Sequence, residues 1–236
     1  GFAASLIHFC NSENIPVKII DERCKLKEIE VKSKINLLPH QEKALERTAL
    51  KNFGVIVSPP GSGKTIIGLE LVAQKRQPTL ILVHRKQLFD QWVDRIQSFL
   101  SIPKNQIGQI GNQKNKLGKE VTVAMIQSLT RRDLSELRNI FGMIIVDECH
   151  HIPAKSFREV ITQLNCFYLY GLTATPKRKN NDEKLIYVYI GDIIYEKTQR
   201  EQLRLHDTKV EINIRETELE VPFDYKIDQY ETVSQI

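Results

Sequence analysis

A continuous apolar run, a glycine-rich turn and a helix-forming segment follow one another across residues 55–72. Gly61 and Gly63 allow the backbone to turn tightly and to point its N–H groups inward. A helix that begins at Lys64 directs its free N–H groups and the positive end of its dipole toward the same point. The segment therefore predicts a site for the phosphates of a nucleoside triphosphate, in which Lys64 reaches the β- and γ-phosphates and the Thr65 hydroxyl binds Mg²⁺.

The turn departs at one position from the usual phosphate-loop pattern, G-x-x-x-x-G-K-[S/T]. That pattern has glycine at position 58, where this chain has Ser58. Serine is small, and a strand before the turn and a helix after it are what phosphate binding needs, so we favour this interpretation over an ordinary glycine-rich turn. The residues predicted to bind ATP in the loop are Pro60, Gly61, Ser62, Gly63, Lys64 and Thr65.

An acidic pair, Asp147 and Glu148, follows a second apolar run at residues 143–146. Asp147, at the tip of a strand, can hold Mg²⁺ through a water opposite Thr65, and Glu148 can deprotonate the water that attacks the γ-phosphate. Taken alone, a solvated acidic strand end is the simpler interpretation, but the upstream phosphate loop favours the catalytic one. The predicted metal-binding residues are therefore Thr65 and Asp147.

Two threonines, Thr173 and Thr175, form a third polar cluster at a predicted strand end, just before a proline. Their hydroxyl groups can hydrogen-bond to His150 or Glu148 and so respond to the state of the γ-phosphate. The alternative is a turn that simply closes the strand, and without the neighbouring motifs that alternative would be preferred.

Strands and helices are predicted to alternate along most of the chain. The strands are apolar runs without a polar face, which is typical of a parallel central sheet flanked by helices on both sides. We therefore predict an α/β fold with ligands at the carboxyl ends of the strands. The predicted strands are 53–57, 79–83, 120–124, 142–147 and 166–171. The predicted helices are 64–76, 86–99, 126–138 and 154–164, with another that begins within 37–45.

Outside this alternating region the pattern is weaker. Residues 15–20 and 29–35 are predicted to be strands, the second because apolar and polar residues alternate, and residues 210–214 alternate in the same way. Residues 104–119 and 177–184 are polar and are predicted to be loops.

Composition limits the class of protein. The net charge of +5 permits a polyanionic partner without requiring one. The four cysteines form no C-x-x-C pair, which favours a reducing compartment, and the adjacent Cys149, His150 and His151 are poorly spaced for zinc. No apolar run reaches the roughly 20 residues of a membrane span, and no signal peptide is visible. We therefore expect a cytoplasmic protein, or one of the nucleoid, the nucleus or, if viral, the host cytoplasm.

Six short segments resemble, in the right order, the motifs of superfamily 2 helicases and translocases. Each motif is weak alone, but six in order over residues 37–180 are specific. The residues of these motifs are most similar to those of the DNA-directed branch, which includes XPB-like repair helicases, type I and type III restriction translocases and phage recombination helicases. The matching segments are residues 38–44 ahead of motif I, 61–65 (motif I), 82–92 (motif Ia), 123–129 (the Q-S-L segment), 147–150 (the D-E-x-H box) and 173–175 (motif III).

The resemblance implies a RecA-like phosphate-loop lobe with ATP and Mg²⁺ as cofactors. It implies that Gln41 reads the adenine, although the Arg-x-Tyr residues that precede this glutamine in the family are not kept here. The implied catalytic residues are Lys64, Asp147, Glu148 and His150, and the implied coupling residues are Thr173 and Thr175. The implied nucleic-acid contacts are His84, Arg85, Lys86, Gln127 and Ser128.

Cations and small donors at strand ends and helix starts suit contacts with a phosphate backbone, which carry no sequence information. For Arg85 and Lys86, the alternative is a solvated helix start. For residues 177–179, which are all basic, a nucleic-acid rim and an exposed loop are equally favoured.

The resemblance also sets the predicted domains. Residues 1–36 are expected to form part of an accessory region, residues 37–200 the first RecA-like domain, and residues 201–236 the start of a linker toward a second lobe. The Q-x-x-G-R-x-x-R pattern of a second lobe does not occur in the sequence. We therefore expect this chain, which begins with Gly1 rather than methionine, to be the N-terminal lobe of a longer, monomeric protein.

The predicted function is that of an ATP-dependent helicase or translocase acting on DNA, of which this lobe alone turns over ATP slowly. One alternative is an RNA helicase or RNA sensor, because the sequence does not identify a reader of the 2′-hydroxyl. Another is an ATP-switched assembly module that does not translocate. A nucleotide kinase is disfavoured, since it has no use for the D-E-x-H box and the T-A-T motif.

Overall fold

The computed structural model describes residues 2–151, 154–174 and 188–197, all of which belong to one unit of the chain, Gly1–Leu205. Within these residues, eight strands form a single sheet. The strands are β1 (Phe53–Val57), β2 (Thr79–Val83), β3 (Gly108–Gly111), β4 (Lys114–Lys116), β5 (Val121–Met125), β6 (Met143–Asp147), β7 (Tyr168–Thr173) and β8 (Ile193–Glu196). The helices are α1 (Phe2–Ser12), α2 (Pro39–Ala49), α3 (Lys64–Lys75), α4 (Lys86–Leu100), α5 (Ile126–Leu129) and α6 (Ala154–Ile161).

The sheet is parallel except at one edge. Its strand order is β4-β3-β5-β2-β6-β7-β1-β8, and among these strands only β3 and β4 pair in antiparallel fashion. Strands such as β1 and β2 that follow one another in sequence are separated in the sheet, so helices provide the crossovers between them. The predicted α/β fold with a parallel central sheet is confirmed.

Alternate residues of the central strands face two separate apolar layers. Ile56, Ile81 and Ile145 pack into one cluster, together with side chains of α3 and α4. Their chain neighbours Val55 and Leu80 pack into a second cluster, together with side chains of α5 and α6. Both faces of these strands are therefore buried, which explains why their sequences have no polar face.

The strand order brings three predicted motifs to one edge of the sheet. β6, β7 and β1 are neighbours, with Asp147 opposite Leu172 and Val57 opposite Thr173. Since parallel strands end at the same edge, the turn after β1, the acidic pair after β6 and the end of β7 meet there. β2 and β5 continue the series beyond β6, so the segments that follow them lie along the same edge.

Residues 15–35 contain no strand, so the prediction of strands at 15–20 and 29–35 is wrong. The segment is joined to the rest of the fold by separate hydrogen bonds, such as those from the Ile29 N–H to the Arg76 carbonyl and from the Lys34 N–H to the Phe99 carbonyl, both 2.9 Å. The side chain of Gln77 adds two more. Its Oε1 accepts the N–H of Leu26 at 2.7 Å, and its Nε2 donates to the Leu26 carbonyl at 3.0 Å. The alternating pattern therefore belongs to a segment that is bonded at single points, without the ladder that would make it a strand.

Two other differences have local causes. The helix predicted over 126–138 ends after one turn as α5, and farther along Asp133 Oδ1 accepts the N–H of Ser135 at 2.9 Å, a side-chain bond that competes with helical pairing. The polar segment 104–119, predicted to be a loop, contains the hairpin of β3 and β4. The sequence pattern also did not predict α1 or β8.

The remaining predicted elements are present. β1 and β2 have their predicted bounds, and the ends of the others differ from the prediction by at most three residues. Some predictions fall on residues that the structure does not describe. These are Thr175, the polar loop at 177–184, the alternating segment 210–214 and the linker at 201–236. Within the described part of the chain, no helix is both long enough and apolar enough to cross a membrane.

Candidate active site

Two glycines with left-handed backbone conformations shape the turn between β1 and α3. Gly61 has a φ of +74° and Gly63 a φ of +84°, a region that other residues rarely adopt. A Cβ at Gly63 would collide with Nε2 of Gln41, whereas a Cβ at Gly61 would meet no atom within 4 Å. Gly63 therefore lets the loop pack against Gln41, and Gly61 leaves open space beside the loop.

Two buried side chains at the start of α2 bind the loop through one carbonyl group. Nε2 of Gln41 donates to the Ser62 carbonyl at 3.2 Å, and Nε2 of His40 lies 2.9 Å from the same oxygen. Oε1 of Gln41 accepts the N–H of Leu38 at 2.9 Å. Gln41 thus fixes the loop, and its role in reading adenine stays a prediction. The sequence predicted no role for His40 and did not reveal this contact.

Ser58, which replaces the first glycine of the phosphate-loop pattern, is fully buried. Its N–H donates to the Thr173 carbonyl at 2.9 Å, and its own carbonyl accepts from Lys64 Nζ at 3.3 Å. The turn is therefore joined to the end of β7 at this residue, and a side chain as small as serine is accommodated there.

The lysine of the loop and the acidic pair converge at the sheet edge. Asp147 ends β6 and is only 3% exposed. Glu148 follows with a φ of +45°, which is uncommon for a residue other than glycine and turns the chain sharply after the strand. Oε1 of Glu148 lies 3.4 Å from Lys64 Nζ. The structure thus brings these three side chains together, and their catalytic roles stay predictions.

Burial raises the pKa of Asp147 to about 6. The indole N–H of Trp92 donates to its Oδ2 at 2.7 Å and the N–H of Glu148 to its Oδ1 at 3.0 Å, and both bonds lower the pKa. The charge of Lys64 also lowers it, while the charge of Glu148 adds to the rise. Burial is the largest of these effects, so Asp147 takes up a proton more readily than an exposed aspartate.

The end of β7 joins the same group of side chains through His150. Nδ1 of His150 lies 2.6 Å from Thr173 Oγ1 and 3.3 Å from Glu148 Oε2. The contact with Thr173 is the shorter, and Glu148 Oε2 has no hydrogen-bond partner of good geometry among the described residues. Thr173 is therefore in direct contact with the D-E-x-H box, while Thr175 lies outside the described residues.

Three histidine rings lie in a row beside Glu148. The ring centroids of His150 and His151 are 3.8 Å apart, and those of His151 and His84 are 5.2 Å apart. Burial lowers the pKa of His84, and the nearby His151 and Arg85 lower it further. Both ring nitrogens of His84 are buried without a hydrogen-bond partner among the described residues. His84 therefore packs toward the acidic pair, and its contact with nucleic acid stays a prediction.

The other predicted nucleic-acid residues follow β2 and β5 at the same edge. Arg85, Lys86 and Gln127 are exposed, and Ser128 is half-buried. Nε2 of Gln127 donates to the His84 carbonyl at 3.1 Å, which joins the two segments. The paired strands thus present two cations and an amide side by side, a set of groups suited to phosphate contacts.

A cavity of about 350 Å³ lies between the phosphate loop and the acidic pair, a volume within the usual range for small-molecule sites. Three residues of α4 that sequence reasoning did not assign, Leu88, Gln91 and Arg95, form part of its wall. Their spacing of three and four residues places them on one helix face, and this is the signal by which they could have been found. The other lining residues are Pro60, Gly61, Gly63, Lys64, Thr65, Ile66, Asp147 and Glu148.

The groups around this cavity fit a magnesium-bound nucleotide. Gly63 gives α3 no side-chain cap, so the first-turn N–H groups are available to phosphate oxygens. Thr65 and Asp147 offer the oxygen ligands that Mg²⁺ binds. Among the described residues, no cluster of three His, Cys, Asp or Glu side chains is arranged to hold a metal ion. A cation would therefore depend on phosphate oxygens too, as Mg²⁺ commonly does in nucleotide sites.

Curated proteins with similar sequences include a DNA 3'-5' translocase, XPB2, of Sulfurisphaera tokodaii. It is 34% identical over 171 residues, which are 72% of this chain and 38% of that protein. Protein L396 of Acanthamoeba polyphaga mimivirus, named provisionally as an ATP-dependent RNA helicase, is 32% identical over 169 residues, which are 70% of this chain and 32% of that protein. The chain thus spans well under half of the length of either relative.

The fold is similar to that of the UvsW helicase from Bacteriophage T4, with a TM-score of 0.64 at 22% identity over 83% of this chain and 78% of that chain. The likeness confirms the predicted RecA-like fold. The family described as type III restriction enzyme, res subunit, matches residues 34–178, more than half of the chain. The chain therefore belongs to this family and is an N-terminal RecA-like lobe of the superfamily 2 helicases.

Proposed function

We propose that this lobe binds Mg-ATP and that the protein to which it belongs is an ATP-dependent helicase or translocase acting on DNA. The convergence of Lys64 with Asp147 and Glu148 around one cavity carries the proposal. The relative named as a DNA translocase supports the choice of DNA. Because the chain spans only 38% of that relative, the activity of the whole protein is itself part of the proposal.

Each side chain has a distinct task in this proposal. When bound, Mg-ATP supplies the phosphoryl group for transfer and a cation that neutralises its charge. Lys64 binds the outer phosphates, while Thr65 and Asp147 hold the cation. The first turn of α3 directs its N–H groups toward the same phosphates.

The surroundings of Glu148 suit a general base. Its Oε1 lies 3.4 Å from Lys64 Nζ, and its Oε2 lies 3.3 Å from His150 Nδ1. The ion pair with Lys64 orients the carboxylate, and a side-chain exposure of 21% lets water reach it. Glu148 therefore accepts the proton of the attacking water, at a place where positioning contributes most of the rate.

Contacts along the sheet edge support coupling between the two ligands. Glu148 contacts His150, which contacts Thr173 and packs against the tilted ring of His151. The ring of His151 in turn lies beside that of His84, whose neighbours Arg85 and Lys86 are exposed. A nucleic-acid strand that binds at Arg85 and Lys86 therefore acts on the general base, Glu148, through the contacts of His84 with His151 and of His151 with His150.

The test is steady-state ATP hydrolysis by the full-length protein with matched DNA and RNA duplexes. We expect DNA to stimulate hydrolysis more than RNA. Stimulation by RNA alone would favour the second candidate, an RNA helicase, which the name of the mimivirus relative supports. Hydrolysis that neither nucleic acid changes would favour an ATP-switched assembly module and overturn the motor proposal.

The same assay on the 236-residue chain tests whether it is one lobe of two. Arginine fingers supplied by a partner lobe are worth about 10³–10⁵ in rate. We therefore expect the chain alone to bind ATP and to hydrolyse it slowly. Brisk, DNA-stimulated turnover by this chain would overturn the single-lobe account while leaving the assignment of the ATP site intact.

A further inference from the structure

The chain has a single tryptophan, Trp92, and its indole group reaches the ATP site from within the core. Trp92 lies on α4 and is 1% exposed. Its Nε1–H donates to Oδ2 of Asp147 at 2.7 Å, across 55 positions of sequence. A short bond from a fully buried donor to a carboxylate is charge-assisted and geometrically restrictive.

This bond completes the support of the Asp147 carboxylate. Oδ1 already accepts the N–H of Glu148 at 3.0 Å, so each oxygen has one donor from the protein. Two donors on opposite oxygens fix the plane of the carboxylate. Each oxygen keeps a second lone pair, which leaves the group able to bind a cation or a water.

The packing around the indole shows how firmly it is held. A Cβ at Gly68, in the helix that follows the phosphate loop, would lie 2.6 Å from Trp92 Cη2 and 3.1 Å from Leu172 Cδ1. Only glycine leaves room for the ring there, although glycine is a poor helix former. The indole is thus fixed between α3, α4 and the sheet. A phenylalanine would fill much of the same space, but it would offer no donor to the carboxylate.

We propose that Trp92 is a positioning residue, which holds the Asp147 carboxylate in the orientation that binds the cation of Mg-ATP. The inference rests on the proposed function, because it assumes that Asp147 is the cation-binding residue. It adds a residue that acts through Asp147 and does not touch the nucleotide. Loss of such supporting hydrogen bonds commonly costs about 10–100-fold in metal affinity or activity.

The first experiment measures the bond itself without any cation. Because the chain has one tryptophan, a ¹⁵N-labelled sample gives one indole N–H signal. We expect this signal to be shifted downfield and slow to exchange, and Asp147→Leu to remove both properties. An indole signal that Asp147→Leu leaves unchanged would overturn the inference.

The second experiment separates cation binding from nucleotide binding. Fluorescent ATP is titrated against Trp92→Phe in EDTA and at increasing Mg²⁺. We expect nucleotide affinity in EDTA to stay within about twofold, while half-saturating Mg²⁺ rises about tenfold or more. Replacing Trp92 by benzothienylalanine, which keeps the shape of the indole but lacks the N–H, should give the same shift even if phenylalanine disturbs folding.

Phe89→Leu is the matched control, since Phe89 is fully buried on the same helix and does not line the cavity. It should lower thermal stability and leave half-saturating Mg²⁺ unchanged. An unchanged Mg²⁺ requirement in both Trp92 variants, with normal binding by the parent chain, would overturn the positioning role alone. If the parent chain itself binds no nucleotide with Mg²⁺, the proposed function fails and the inference fails with it.

Discussion

The two ends of the proposed coupling route differ in how their residues are held. On the nucleotide side, Lys64, Asp147 and Glu148 are bonded to one another or to the surrounding core, and Asp147 is 3% exposed. On the nucleic-acid side, Arg85 and Lys86 are exposed at a helix start. The first group is held in place by the protein itself, whereas the second is open to solvent.

This contrast has an energetic consequence. A preorganised, buried site gains much from each charged group, so removing one group should have a large effect. An exposed cation contacts phosphate in solvent, where each contact is weak and depends on salt. Substitutions on the two sides should therefore differ in size and also in the quantity that they change.

The largest effect is expected for Glu148→Gln. The amide keeps the shape of the side chain but cannot accept the proton, so ATP turnover should fall by about 10²–10⁴-fold with ATP binding retained. The measurement is hydrolysis and nucleotide binding by the full-length protein, with Glu46→Gln, an exposed position, as the control. Normal hydrolysis by Glu148→Gln would show that the base lies elsewhere.

A second large effect is expected for Lys64→Ala. Removing this partly buried cation should weaken Mg-ATP binding by about 100-fold or more, because a charge-assisted contact with the phosphates is lost at the turn of the phosphate loop. Calorimetric titration of the chain measures this, and Lys43→Ala, an exposed lysine on α2, should bind as the parent does. Retained affinity in Lys64→Ala would remove the phosphate loop from the site.

Asp147→Asn should change stability in a pH-dependent way. The pKa of Asp147 is raised from 3.8 in the unfolded chain to about 6 in the folded protein. The protonated carboxyl group is therefore tolerated better in the core than the carboxylate, and its full contribution to stability is present below about pH 4. That contribution is lost as the pH rises through 6, a loss of about 3 kcal/mol at about 1.4 kcal/mol per pKa unit.

The asparagine variant should therefore be more stable than the parent by up to about 3 kcal/mol at pH 8 and equally stable at pH 4. Urea denaturation at the two pH values measures the difference. Asp90→Asn, at an exposed position of α4, should change little at either pH. A variant whose advantage grows toward low pH would contradict the burial of this charge.

The smallest effect is expected for Arg85→Ala, which tests the nucleic-acid side. It should reduce the slope of log affinity against log salt by about 1 and leave Mg-ATP affinity unchanged. DNA-binding titrations at several salt concentrations measure the slope. An unchanged slope would remove Arg85 from the nucleic-acid face.

The sequence predicted well those parts of the fold in which the residue types of a segment match its surroundings in the folded protein. Strands β1 and β2 are buried on both faces, so their apolar runs fix both type and bounds. The phosphate loop is predictable because Gly61 and Gly63 occupy backbone conformations that other residues avoid. The convergence of Lys64 with Glu148 follows once the strands are parallel, since all of them end at one edge.

What the sequence did not predict depends on partners distant along the chain. Residues 29–35 alternate like a strand, but separate backbone bonds to Arg76 and Phe99 hold them in place of a strand ladder. The hydrogen bond from Trp92 to Asp147 joins two motifs that were each noticed separately. His40 binds the phosphate loop in place of a residue expected from the family, a contact that only the packing of α2 reveals.

The hairpin of β3 and β4 has a consequence for how this lobe behaves on its own. A sheet of parallel strands exposes unpaired backbone groups at its border, which can recruit strands of other molecules. Here that border is occupied by β4, three residues long, exposed throughout and carrying Lys114 and Lys116. Short length and paired positive charges make it a poor template for another chain, so self-association through this border is disfavoured without any help from a partner lobe.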